Sequence, residues 1–98
     1  SRKFIAQTCI VIGANLEKNG SIDSALVYLE KSLRISNEIG DNEKISTSLL
    51  NLGIVYHDQG SYDKAIEYYQ KSLETAEEIN FKKGISRSLN NLGRAYFD

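Results

Sequence analysis

The chain repeats itself with a period of forty residues. Gly13, Gly53 and Gly93 mark the period, and laying residues 13–52 over 53–92 makes 17 of the 40 positions identical. The matches fall in order: Gly20-Ser21 on Gly60-Ser61, Ala25 on Ala65, Lys31-Ser32-Leu33 on Lys71-Ser72-Leu73, and Asn51-Leu52-Gly53 on Asn91-Leu92-Gly93. A chain built this way folds as a row of similar units, each burying its apolar face mainly against its neighbours. The unit is present twice and begins a third time.

Within each unit the apolar residues return at helical spacing. Ile5, Cys9, Ile12 and Leu16 step by four, three and four; Ile45, Leu49, Leu52, Tyr56 and then Ile85, Leu89, Leu92, Tyr96 repeat that stripe. A second stripe follows Gly20 and Gly60: Ile22, Ala25, Leu26, Leu29, Leu33, and then Tyr62, Ala65, Ile66, Tyr69, Leu73, Ala76. Each unit therefore reads as a helical hairpin, a first helix A and a second helix B. Ser21 and Ser61 are placed to cap the B helices. Gly40 and Asn80, in equivalent positions, are suited to the left-handed geometry that ends them. Proline is absent, so nothing in the chain forces a helix to break.

Glycine in mid-helix costs about 1 kcal/mol relative to alanine, so its recurrence at 13, 53 and 93 predicts a close helix crossing. Ala25 and Ala65 are the expected counterparts, with Leu52, Tyr56 and Tyr69 around the contact. The spacing predicts five helices of about 15 to 18 residues in one all-α array over residues 1–98. Repeat 1 covers about 3–40, repeat 2 about 42–80, and the first helix of repeat 3 about 82–98.

Leu52-Gly53, Tyr56, Gly60, Tyr62, Ala65 and Tyr69 stand at the spacing of the tetratricopeptide repeat, which the whole chain resembles. It is similar to the longer, forty-residue variety found in kinesin light chain, spindle-orientation adaptors and bacterial signalling proteins. The resemblance implies an α-solenoid of antiparallel hairpins coiled into a right-handed superhelix of about two and a half repeats, with a non-catalytic role in protein–protein interaction. Departures are present. Cys9, Leu49 and Leu89 replace an early A-helix aromatic, and the closing proline is missing.

Composition narrows the partners. Twelve Lys and Arg against 13 Asp and Glu leave no net field to recruit nucleic acid or an anionic membrane. The longest apolar run, Cys9 to Ile12, is far short of a membrane span. One cysteine allows neither an internal disulfide nor a cysteine-rich zinc site, which favours a reducing, cytoplasmic setting. No phosphate loop, paired-carboxylate site or metal-ligand cluster is evident, so no cofactor, metal or catalytic residue is expected.

Solenoids bind on their concave face, which the A helices line. The A-helix residues opposite the core stripe are therefore the candidate groove: Gln7, Ile10, Val11 and Ala14, then Thr47, Leu50, Asn51 and Ile54, then Arg87, Asn90, Asn91 and Arg94. The carboxamides of Asn51 and Asn91 can donate and accept together, as an extended peptide backbone requires. The alternative is that they bond across neighbouring A helices or face water. Arg87 and Arg94, seven apart, share a face and suit an acidic ligand, or else pair with surface carboxylates. The carboxylate clamp of the family's chaperone-binding members is not reproduced: Asn51 and Arg87 fit it, but Ile10 and Ala14 stand where polar residues are wanted and Asn91 replaces a base.

The other conspicuous residues read as structural. Cys9 lies in the core stripe, His57 is expected at the groove mouth, the six tyrosines mostly in the core, and Glu30–Arg34 and Glu67–Lys71 as pairs one helical turn apart. The ends leave apolar surface on the first and last helices. That surface, with Ser1 at the start, points to a piece of a longer signalling or adaptor protein; a rival reading is self-association through the uncovered helices.

Overall fold

The computed structural model describes residues 1–97, in which five helices follow one another: α1 (Arg2–Lys18), α2 (Ile22–Ile39), α3 (Asn42–Asp58), α4 (Tyr62–Glu78) and α5 (Lys82–Phe97). Asp98, the last residue of the expected third repeat, lies outside the described residues. All four connections are the same turn. Gly20, Gly40, Gly60 and Asn80 are left-handed, with φ of 84°, 69°, 83° and 54°. The next N–H in each case bonds a carbonyl five residues back, as in Asp41 to Ser36 at 3.0 Å and Phe81 to Ala76 at 2.9 Å. Both ends of each turn are thereby satisfied without a loop, and consecutive helices run antiparallel.

The helix starts differ from expectation. Ser21 and Ser61 occupy the capping position, but with ψ of 71° and 69° their side chains make no capping bond. The B helices open instead with Asp23 and Asp63 in their first turns, where a negative charge suits the helix dipole. Asp41 does cap α3, accepting from the Lys44 N–H at 3.2 Å.

Each helix packs on its neighbours in sequence, and α3 also touches α1 and α5, so the three A helices form one layer and the two B helices the other. Two apolar clusters result. Ala25 and Leu29 of α2 pack with Leu52 and Val55 of α3; Leu50 of α3 packs with Ala65 and Tyr69 of α4 and with Leu92 and Ala95 of α5. Leu52 thus faces back to the first hairpin instead of standing beside Tyr69. A Cβ built on Gly13 would lie 2.6 Å from Leu29 Cγ, and one on Gly53 2.6 Å from the Tyr69 ring, with Ala25 and Ala65 carbonyls at 3.4 and 3.3 Å. These are the expected close crossings. At Gly93 no atom lies within 4 Å among the described residues, because no helix covers it.

Buried serines join the layers. Ser32 of α2 meets Ser48 of α3 at 2.8 Å, while Ser72 of α4 bridges Ser46 of α3 at 3.1 Å and Ser88 of α5 at 2.9 Å. Ser72 Oγ donates to the Ser46 carbonyl at 2.8 Å and Ser46 Oγ to that of Ser72 at 3.0 Å. A serine is scarcely larger than alanine, so the helices approach closely, and its hydroxyl finds a partner where an unpaired one would be costly.

Several surface assignments change. Of the tyrosines only Tyr69 is fully buried; Tyr62 and Tyr96 are exposed. Ile5, Leu89 and Tyr96 lie in the apolar stripe yet are 44%, 53% and 65% exposed. Arg34 pairs with Glu38, which also meets Arg2, and not with Glu30; Glu67–Lys71 forms as expected at 3.3 Å. Among the described residues no helix is long and apolar enough to cross a membrane.

Candidate functional site: a cleft on the A-helix layer

The three A helices enclose a cleft of about 400 Å³. The repeat register builds it, because residues four apart on each A helix point the same way. Gln7, Val11 and Asn15 come from α1, Glu43, Thr47 and Asn51 from α3, and Lys83 and Arg87 from α5. Ile10 and Ala14 complete an apolar wall on α1; Lys44 and Phe81 lie at the turn end. The cleft is thus graded, apolar on the α1 side and basic on the α5 side.

Asn51, only 9% exposed, forms part of the lining. Its Nδ2 donates to the Thr47 carbonyl at 3.0 Å, and Thr47 Oγ1 to the Glu43 carbonyl at 2.9 Å. Asn91 makes the same bond to the Arg87 carbonyl at 2.8 Å. The asparagines bond within their own helices, not across to neighbouring ones. One N–H is committed in each and the carboxamide is held in place, with its oxygen and second N–H as the groups a ligand could use.

Of the twelve expected groove residues, seven are brought together: Gln7, Ile10, Val11, Ala14, Thr47, Asn51 and Arg87. Leu50 is a correction. At 1% exposure it belongs to the core with Tyr69 and Leu92, since it points between α4 and α5. Ile54 packs against the same cluster. Asn90, Asn91 and Arg94 lie beyond the cleft lining on α5, Asn90 and Arg94 exposed to solvent and Asn91 half-buried. Asn15, Glu43, Lys44, Phe81 and Lys83 were missed. Glu43 and Lys83 stand one turn before Thr47 and Arg87, so extending the four-residue step toward the helix starts would have found them.

The charges around the cleft are not equivalent. Lys44 is half-buried and 3.8 Å from Asp41, which Lys3 also approaches at 3.5 Å. Lys83 and Arg87 are exposed and have no acidic partner among the described residues. A broader hollow of about 670 Å³ opens where the α2–α3 turn meets the start of α1, lined in part by Arg2, Lys3, Asp41 and Glu43. Its ions largely answer one another, which leaves little for a ligand.

His57 does not reach the cleft lining. Its ring stands edge-on to Tyr62 with centroids 5.3 Å apart, and its Nδ1 is 3.4 Å from Tyr69 Oη. Cys9 is buried in the core. Among the described residues no three His, Cys, Asp or Glu gather as metal ligands. At the far ends of α1 and α3, burial, together with the hydrogen bond that protonated Glu17 donates to Asp58 and the charge on Asp58, raises the Glu17 carboxyl from 4.5 to about 7.

Comparison with curated proteins returned no match. The sequence model of the tetratricopeptide repeat matches twice, over residues 5–78 and again over 44–98, two placements about one repeat apart. Together they span nearly the whole chain, and with the stacked hairpins, the glycine crossings and the common turn they establish that it belongs to the tetratricopeptide repeat family.

Proposed function

We propose that this chain is a non-catalytic module that holds an extended peptide or a partner helix, carrying an acidic residue, in the cleft between α1, α3 and α5. Domains of this family generally mediate protein–protein interaction. The observation that supports the finer reading is the graded cleft itself: an apolar wall of Ile10, Val11 and Ala14, the anchored carboxamide of Asn51, and on the far side the cations Lys83 and Arg87, which have no acidic partner among the described residues. Apolar side chains of a ligand would settle on α1, its backbone would meet Asn51, and a carboxylate would meet Arg87 through two parallel hydrogen bonds. The lone buried thiol of Cys9 supports a reducing, cytoplasmic setting.

The test is selection of peptides from a random displayed library, followed by affinity measurement with fluorescent copies. Selected peptides should pair an Asp or Glu with an apolar residue. Arg87→Glu should weaken them by about tenfold or more, and the paired change Asn51→Ala with Asn91→Ala by several-fold, with helicity unchanged. Peptides that bind both variants as well as the parent would remove the cleft from the mechanism.

A further inference from the structure

Four turns of one geometry join the five helices, but they do not carry the same chemistry. The residue before the left-handed position is Asn19 in the first turn, Ile39 in the second, Gln59 in the third and Ile79 in the fourth. Asn19 is the only one of the chain's eight asparagines that is followed by glycine. The Cγ of an asparagine can be reached by the backbone nitrogen of the next residue, which closes a five-membered ring. A Cβ on that next residue shields the nitrogen, and glycine has none. The same attack on Gln59 by the Gly60 nitrogen must close a six-membered ring and is far slower.

The turn is open to solvent yet held shut by its own backbone. Lys18, Asn19, Gly20 and Ser21 are all exposed, and among the described residues no atom lies within 4 Å of where a Gly20 Cβ would stand. The Gly20 N–H donates to the Glu17 carbonyl at 3.0 Å and the Ser21 N–H to the Leu16 carbonyl at 2.9 Å, with Asn19 at a helical ψ of −2°. Ring closure therefore waits for the Gly20 nitrogen to leave Glu17. Such opening involves a few solvent-exposed backbone bonds at a helix end, which stand at the low end of local opening free energies.

We infer that Asn19 is a site of spontaneous covalent modification, converted through Gly20 to aspartate and isoaspartate, and that the change loosens the α1–α2 hairpin. The deprotonated Gly20 nitrogen attacks Asn19 Cγ, the Cγ–Nδ2 bond breaks, and the departing amide takes a proton and leaves as ammonia. Water then opens the resulting succinimide, its hydroxyl going to one carbonyl and its proton to the ring nitrogen. Opening at Cγ gives aspartate; opening at the main-chain carbonyl gives isoaspartate, whose backbone is longer by one carbon. Either product sets a carboxylate just past the C-terminus of α1, where the helix dipole disfavours it, two residues from Glu17, which already bonds Asp58 of α3. Lys18 is the only cation in that last turn. Isoaspartate also carries the Ser21 N–H out of register with the Leu16 carbonyl, whereas Gln59 spares the equivalent turn of the second repeat.

The test holds the 98-residue chain at physiological temperature in mildly alkaline buffer beside a synthetic peptide of residues 15–24. Aliquots are digested for mass spectrometry, and isoaspartate is read by enzymatic methyl transfer to its carboxylate. In the chain Asn19 should convert before any other asparagine, and more slowly than in the peptide by the factor that the closed turn imposes. Asn19→Gln, which copies the second repeat, should remove most of the methyl acceptance. Asn19→Asp should unfold at a lower urea midpoint than Asn19→Gln. An Asn19 still intact when the peptide is fully converted overturns the proposal, as does earlier conversion at another asparagine. Equal urea midpoints for the two variants would overturn the loosening of the hairpin.

Discussion

Helices α3 and α5 share Leu-Asn/Leu-Asn-Leu-Gly at the same register, Leu49 to Gly53 and Leu89 to Gly93, yet one is the best-buried helix of the molecule and the other is half open. In α3 the residues from Ser48 to Gly53 are all buried, with α2 on one side and α4 on the other. In α5 only the side toward α4 is closed, so Leu92 and Ala95 are buried while Leu89, Gly93 and Tyr96 face outward. The difference teaches that in a stacked array a residue's environment is set by the neighbour its helix receives. The same glycine is a packing requirement in one repeat and only a weak point of helix propensity in the next.

The largest way to break the comparison is to make α3 resemble α5. Tyr69→Ala removes the side chain that closes Gly53 and should cost about 3–5 kcal/mol in urea unfolding. The glycines themselves sharpen it. Gly53→Ala forces a methyl against the Tyr69 ring and should destabilise by about 1–3 kcal/mol, whereas Gly93→Ala meets open space and should stabilise by up to about 1 kcal/mol. If both changes had the same sign, the contrast between the helices would be wrong.

A smaller effect lies in the serine contacts. Ser72→Ala removes a hydroxyl that links α4 to both α3 and α5, taking the donor from the Ser46 carbonyl and the partner from Ser88 while Ser46 keeps the Ser72 carbonyl, and should cost about 1–2 kcal/mol; Ser32→Ala removes a link to Ser48 of α3 alone and should cost less. Equal losses would mean that the hydroxyls contribute little beyond their size.

The smallest effect is the pH dependence from Glu17. Its folded value is raised, so below about 4.5 both folded and unfolded chains keep the proton and nothing is lost. Between about 4.5 and about 7 only the folded chain keeps it, and stability falls as pH rises; above about 7 the folded chain must carry the charge beside Asp58. Solvent screens a group this accessible, so Glu17→Gln should raise stability at pH 8 by only a few tenths of a kcal/mol to about 1 kcal/mol and flatten the pH slope. An unchanged slope in thermal melts would show that the two carboxyls do not share a proton.

Much of the candidate cleft was legible in the sequence because a repeat register carries over from one A helix to the next: Val11, Asn51 and Asn91 share a register, as do Gln7, Thr47 and Arg87. The errors came from treating all three helices alike. Leu50 is expected in the groove with its counterparts Ile10 and Asn90, but Leu50 and Ile10 are buried at 1% and 5%, each beside a B helix and a further A helix, while Asn90 on α5 is exposed. Ser46, Ser48, Ser72 and Ser88 passed unnoticed, since a small polar residue gives no apolar signal even where it holds the layers together.

The sequence by itself determined the units: the forty-residue period, five helices, turns at Gly20, Gly40, Gly60 and Asn80, and glycines wherever a B helix would cross an A helix. These follow from local chemistry, helical spacing and left-handed turn geometry, which read the same in every repeat. Only the tertiary structure decided which copies of a position are covered. Burial depends on whether another helix stands within contact distance, and among the described residues α5 has on one side no neighbour like the one α4 gives to α3. That physical difference separates a core leucine from an exposed one at the same place in the repeat, and it leaves Leu89, Gly93 and Tyr96 as a surface where the sequence pattern alone predicts a core.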